Sequence, residues 1–196
     1  MAGSSTADPA AFFFDLGSPA AYLAAERVLQ RHPGAEWIPV LARELPGAES
    51  WEAFRCAEER QIALAQIELA AAGQGLQPLR WPDPFPFDSL FAMRAATYAK
   101  QIGRTVAFAL AAYRQAFAAG RSLADPDNVV IAAAACEMHP TAVLRAIELR
   151  SVRDALAEQT AAAAALGVRD VPAVRVGERV FHGDASLPGA ARAAAA

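Results

Sequence analysis

The chain has 196 residues, 55% of them hydrophobic and 20% charged, enough to bury a core and too apolar for a disordered chain. Its 18 basic against 21 acidic residues leave a formal charge of -3, without the basic footprint that nucleic acid requires. No uninterrupted apolar run reaches the ~18 residues of a membrane span, so neither nucleic acid nor membrane is an expected partner.

The first nine residues carry no basic n-region and no apolar h-region, so they read as a disordered N-terminus rather than a secretory leader. The expected localisation is cytoplasmic. Ala11-Phe-Phe-Phe-Asp15 is short, aromatic and closed by Gly17, Ser18 and Pro19, which predicts a buried strand. Helical spacing runs from Pro19 to Arg31, with Ser18 as N-cap, Pro19 at the first helical position and His32-Pro33-Gly34 as the stop. Glu36 to Leu41 predicts a second strand, irregular at Pro39. Strand, helix and strand at these lengths make a parallel, right-handed unit.

Trp51 to Ala72 reads as one helix ended by Gly73-Gln-Gly75. Alanine, about a quarter of the whole chain, favours helix throughout this middle stretch. A proline-rich connector follows from Pro78 to Phe87, too rigid for regular structure. Asp88 or Ser89 then caps a run of three or four helices reaching Leu166, broken near Gly103, between Gly120 and Pro126, and at His139-Pro140. Strands return at Ala173–Val176 and from Arg179 to Phe181 around a Gly177-Glu178 turn. The layout is α/β, a βαβ…ββ sheet unit over 10–42 and 167–196 with residues 43–166 as a helical insertion.

Ser18 is the leading chemical candidate. It stands where free backbone N–H groups and the helix dipole favour an anion, and its hydroxyl could donate to a bound thiolate and lower the thiol pKa. The alternative reading is an ordinary Ser-Pro helix start. No histidine is placed to make Ser18 a nucleophile. A cis bond at Val171-Pro172 would present the Val171 N–H and C=O to an extended ligand, whereas a trans proline would mark a strand edge. His182-Gly183-Asp184 either binds a charged end group or is the turn leaving the hairpin. Trp81, Phe85, Phe87 and Phe91 either line an aromatic pocket or pack together. Cys56 and Cys136, both in helical apolar patterns, are expected to be buried structural thiols, and with three isolated histidines no metal site is expected.

Phe12-Phe-Phe-Asp15-Leu-Gly-Ser18-Pro19-Ala-Ala-Tyr22-Leu23-Ala24 resembles the opening of the 2-hydroxychromene-2-carboxylate isomerases and the kappa-class glutathione transferases, within the DsbA-like thioredoxin-fold superfamily. Phe85-Pro-Phe-Asp-Ser89-Leu-x-x-Met-Arg94-Ala95 is similar to the start of that family's inserted helix. Gly167-Val-x-x-Val171-Pro172, the Gly-Glu turn and Gly183 resemble its C-terminal segment. The resemblance implies a thioredoxin-like fold with a helical insertion, and an isomerase or transferase that uses glutathione or another low-molecular-weight thiol on a conjugated aromatic small molecule. It implies that Ser18 hydrogen-bonds the cofactor sulfur, that Val171 and a cis Pro172 hold its cysteinyl unit, and that Gly183 and Asp184 begin its γ-glutamyl site. Tyr22, with Trp81, Phe85, Phe87 and Phe91, falls in the substrate pocket, and the family's members are commonly homodimers. The chain departs from the pattern at Gly183-Asp-Ala185-Ser186, where the family has Gly-x-Asp-Arg, and at Ala20, where it has an aromatic residue. Two other functions are compatible with the residues: disulfide exchange of the DsbA type, disfavoured by serine at the helix tip, and a ligand- or partner-binding module without dithiol redox activity.

Overall fold

The computed structural model describes residues 10–48, 51, 54, 56–183, 187 and 190. Strand β1 is Ala11–Phe14, followed by helix α1 (Pro19–Arg31) and strand β2 (Glu36–Pro39). After a 3-10 turn at Ala42–Glu44 come α2 (Ala57–Gly73), α3 (Leu90–Gln101), α4 (Thr105–Tyr113), a π turn at Arg114–Ala118, α5 (Pro126–Ala134), α6 (Pro140–Ala146) and α7 (Arg150–Ala165). Strands β3 (Ala173–Val176) and β4 (Arg179–His182) close the chain's sheet. Its order is β2-β1-β3-β4, with β1 parallel to β2 and the other pairings antiparallel. Among the described residues no helix is long and apolar enough to cross a membrane.

The aromatic run makes β1 the central strand because helices cover both faces of the sheet. Phe12 and Phe14 point one way and stack at 5.9 Å, with Trp37 of β2 edge-on to Phe12 at 4.8 Å. That face shares its core with α1, α3 and α4. Ala11 and Phe13 point the other way, into a second core with Val40, Ala163, Val168 and Ala173. Helix α7 is pinned to this arrangement by Thr160: its Oγ1 accepts the Leu41 N–H at 3.0 Å and donates to the Leu156 carbonyl at 2.8 Å.

Several expectations are corrected here. The second helix starts at Ala57, not Trp51, and β2 ends at Pro39 rather than Leu41. The stretch from Leu90 to Ala165 holds five α-helices and a π turn rather than three or four helices. Cys56 is exposed, at the N-cap of α2, whereas Cys136 is buried as expected. No local signal marks the burial of a thiol at a helix start; the turn that carries Cys56 simply stands clear of the core.

Candidate active site

Chain geometry brings Ser18 and Pro172 to one end of the sheet. Ser18 follows the carboxyl end of β1 and caps α1, its Oγ accepting the Ala21 N–H at 3.2 Å while its own N–H donates to the Asp15 carbonyl at 3.0 Å. Accepting that bond leaves the hydroxyl hydrogen available to a ligand. Pro19 supplies no N–H, so the half-buried tip of α1 is built by Ser18 and the first amides behind it. Strand β3 runs antiparallel to β1 with Ala173 opposite Phe13, which sets Pro172 beside Phe14 at the same end. The Val171-Pro172 bond is cis. The Pro172 carbonyl accepts the Gly183 N–H at 2.8 Å, fastening the end of β4 to this point. Asp184 lies outside the described residues.

Beneath Ser18 sits a residue the sequence reading left without a role. Asp15 is 4% exposed. Its Oδ1 accepts the Gly17 N–H at 2.8 Å and its Oδ2 accepts the Ala42 N–H at 2.9 Å, and the Ser89 hydroxyl donates to the same carboxylate. Burial pushes the Asp15 pKa above the usual carboxyl value, against the pull of these bonds and of the Arg43 charge. Tyr113 donates its hydroxyl to the Asp15 carbonyl at 2.9 Å, and burial, then the Asp15 charge, raises that phenol well above its usual range. Gly17 is needed for this close fit, since a Cβ there would lie 3.1 Å from Ser89 Cβ. Asp15 thus joins the turn before α1, the turn after β2 and the start of α3, where Asp88 Oδ1 accepts the Leu90 N–H at 3.0 Å.

The aromatic residues form a continuous stack leading from this point. Tyr22, one turn beyond Ser18, lies 5.9 Å from Tyr113 and 5.8 Å from Phe117. Phe117 in turn meets Trp81 and Phe85 at 6.2 Å and Phe87 at 6.4 Å. Tyr22, which the resemblance places in the substrate pocket, is 3% exposed and packs its ring into the core. Trp81, Phe85 and Phe87 are half-buried and pack as well as present a face, and Phe91 leans on the core from α3. The strap they ride on is held to α2 by Trp81 Nε1 donating to Glu68 at 2.6 Å and by Arg60 donating to the Phe85 carbonyl.

The remaining candidates have structural occupations. His182 Nε2 accepts the Arg169 N–H at 3.0 Å, and Val171 donates its own N–H to Asp170 Oδ1 at 2.7 Å. Among the described residues no group of three or more His, Cys, Asp or Glu could hold a metal ion. What the sequence reading missed, Asp15 with its Ala42 and Ser89 donors, carried one signal: an acid set between a wholly apolar strand and a Gly-Ser-Pro turn.

Comparison with solved structures bears on the fold. A 2-hydroxychromene-2-carboxylate isomerase superposes with TM-score 0.79 at 18% identity, covering 92% of this chain and 91% of that one. A probable DsbA oxidoreductase from Streptomyces coelicolor gives 0.75 at 19%, covering 94% and 87%. The cytosolic disulfide reductase DsbM from Pseudomonas aeruginosa, solved with GSH, gives 0.65 at 15%, covering 95% of each chain. No curated protein matches the chain significantly. The family profile of the DSBA-like thioredoxin domain matches residues 11–195, and with a four-stranded mixed sheet of the same architecture the chain belongs to that family.

Proposed function

We propose that the protein is a thiol-dependent isomerase or transferase that acts on a conjugated, aromatic small molecule with glutathione or another low-molecular-weight thiol. The observation that carries this reading is serine at the tip of α1. Dithiol exchange on this fold needs an attacking thiolate at a helix start facing the ligand cleft. Here the position is Ser18, while Cys56 begins α2 and Cys136 is buried, its thiol pKa raised by burial. A serine hydroxyl cannot attack without a base, but it can donate to sulfur brought by a cofactor.

When bound, the thiol would supply a nucleophile that adds reversibly to the conjugated system and leaves unchanged, so no oxidant is needed. Ser18 Oγ and the dipole of α1 would hold the charge on its sulfur.

Calorimetric titration with reduced glutathione tests the reading. Binding is expected, with the bound thiol titrating below the free one. Ser18→Ala removes a hydrogen bond to a charged acceptor, worth about 1.5–3 kcal/mol, and so raises the bound thiol pKa by about one to two pH units. No binding of glutathione or any small thiol sinks the proposal.

A second reading is a ligand- or partner-binding module without turnover, and one observation favours it. The Val171 N–H that would pair with a cysteinyl unit is already engaged by Asp170 Oδ1 at 2.7 Å. Glutathione binding that is indifferent to Ser18→Ala would select this reading.

A further inference from the structure

Two adjoining hollows lie against the π turn at Arg114–Ala118. The larger, about 480 Å³, runs between α4 and the end of α5, with Leu110, Ala111, Ala132 and Ala135 in its walls. The smaller, about 290 Å³, is bounded by Gln77, Pro78 and Arg80 of the chain that enters the aromatic strap. Ala119 borders both, so they meet there. The sequence makes this space. Facing alanines on α4 and α5 leave a trough that bulkier side chains would fill. The π turn adds a residue at its end: Ala119 donates to the Arg114 carbonyl, five residues back, at 2.9 Å. In size the hollows fall in the range of small-ligand sites, about 300–1,000 Å³.

The polar groups around this space are cationic or neutral. Among the described residues no Asp or Glu lines either hollow. Arg114, at the rim of the larger, is already satisfied by Glu26, whose Oε1 and Oε2 accept from its Nε and Nη2, each at 2.7 Å. Arg80 and Arg121 are exposed, and among the described residues neither guanidinium has an acceptor. Their backbones are nevertheless fixed at the junction. Arg80 donates its N–H to the Phe117 carbonyl at 2.8 Å, and Arg121 donates to the Gln115 carbonyl at 2.9 Å. The Arg80 Cβ lies 3.2 Å from where a Cβ of Gly120, the neighbour of Arg121, would stand. Gln115 lines the larger hollow with a buried Oε1 that has no partner among the described residues, so its amide is free to turn an N–H toward an acceptor. An apolar trough that ends in uncompensated guanidiniums suits a molecule with an apolar body and an oxyanion head, because the guanidinium fork matches a carboxylate.

We propose that the joined hollows beside the π turn form a second ligand site, one for a small organic carboxylate. The apolar body lies along Ala111, Ala132 and Ala135, and the oxyanion is held by Arg80 and Arg121 across Ala119. The site shares no residue with the Ser18 cleft, so it stands whether or not that cleft binds a thiol. It abuts the hub of the aromatic stack, because Phe117 belongs to the π turn.

Anilinonaphthalene sulfonate, an aromatic anion whose emission rises in apolar surroundings, is the probe that tests it on the full chain. Saturable binding is expected, and decanoate should displace the probe at least tenfold more effectively than decanol, which has the same chain without the charge. Arg80→Gln with Arg121→Gln is expected to weaken decanoate at least tenfold and to leave decanol unchanged. Both arginines are exposed, so that variant removes the charge without touching the core. Ala111→Leu with Ala135→Leu, which fills the trough, is expected to weaken both competitors, with an unchanged circular dichroism spectrum. A wild type that does not bind the probe overturns the proposal. So does binding that survives both variants, or displacement by decanol as strong as by decanoate. Displacement by reduced glutathione overturns it too, because the probe would then sit at Ser18.

Discussion

Phe117→Ala is expected to cost about 3–5 kcal/mol of stability, the range for removing a fully buried aromatic ring. With a urea slope of about 2 kcal/mol/M for a chain of this size, the unfolding midpoint falls by about 2 M. The reason is the number of rings that meet there. Phe117 is 0% exposed and touches Tyr22, Tyr113, Trp81, Phe85 and Phe87. These neighbours cannot collapse into the space. Tyr113 is tied to the Asp15 carbonyl, Trp81 to Glu68, and the Arg80 N–H to the carbonyl of residue 117 at 2.8 Å. The strap then loses its anchor just before Ser89, which abuts Gly17. The same variant is therefore expected to weaken thiol binding at Ser18 as well as the fold. Phe117→Leu, which keeps most of the volume, should lose distinctly less. A loss below about 1 kcal/mol for alanine would mean that the strap is held by other contacts.

What was legible in the sequence was local. Ser18-Pro19 and His32-Pro33-Gly34 bound a helix whose ends are those of α1, because a cap, a first-turn proline and a stop act within a few residues. Ala11 to Phe14 read as a buried strand for the same reason, and the Gly177-Glu178 turn fixed the final hairpin. The misreadings have non-local causes. The start of α2 was lost because apolar periodicity from Trp51 onward looks the same whether the residues are covered or bare; Ile62 and Leu69 of α2, both exposed, show how little periodicity says about which face is buried. The π turn at Arg114–Ala118 has no sequence punctuation, since Arg-Gln-Ala-Phe-Ala is good α-helix composition. The aromatic strap could be noticed but not placed, as its packing depends on Phe117 some thirty residues later. The site divides the same way. Ser18 and Pro172 announce themselves by their neighbours, whereas the role of Asp15 depends on donors from Ala42 and Ser89 that only the fold delivers.

Asp15→Ala is expected to destabilise the protein by about 2–4 kcal/mol, because it strands the half-buried N–H groups of Gly17 and Ala42, each costing toward the lower part of about 1–3 kcal/mol when unsatisfied. The loss falls on the turn that aims Ser18, so the variant should bind thiol poorly even where it remains folded. Asp15→Asn separates geometry from charge. The amide can still accept one N–H but is never ionised, whereas the buried carboxyl of the wild type must ionise as pH rises. Burial raises its folded pKa above the ordinary value of 3.8. Between 3.8 and that raised value the folded chain holds a proton that the unfolded chain has released. The stabilisation from this protonation is therefore complete below the unfolded value and is lost as pH rises through the folded one. Relative to Asp15→Asn, the wild type should gain stability as pH falls through that window and keep the gain below 3.8. Urea midpoints of the two proteins at a series of pH values measure it directly. A wild type that loses stability relative to Asp15→Asn on acidification would mean that the Gly17, Ala42 and Ser89 donors outweigh burial and hold the carboxyl below its usual value. The carboxylate beneath Ser18 would then be charged at every pH above its usual value, and Ser18 would have to stabilise a thiolate against it throughout that range.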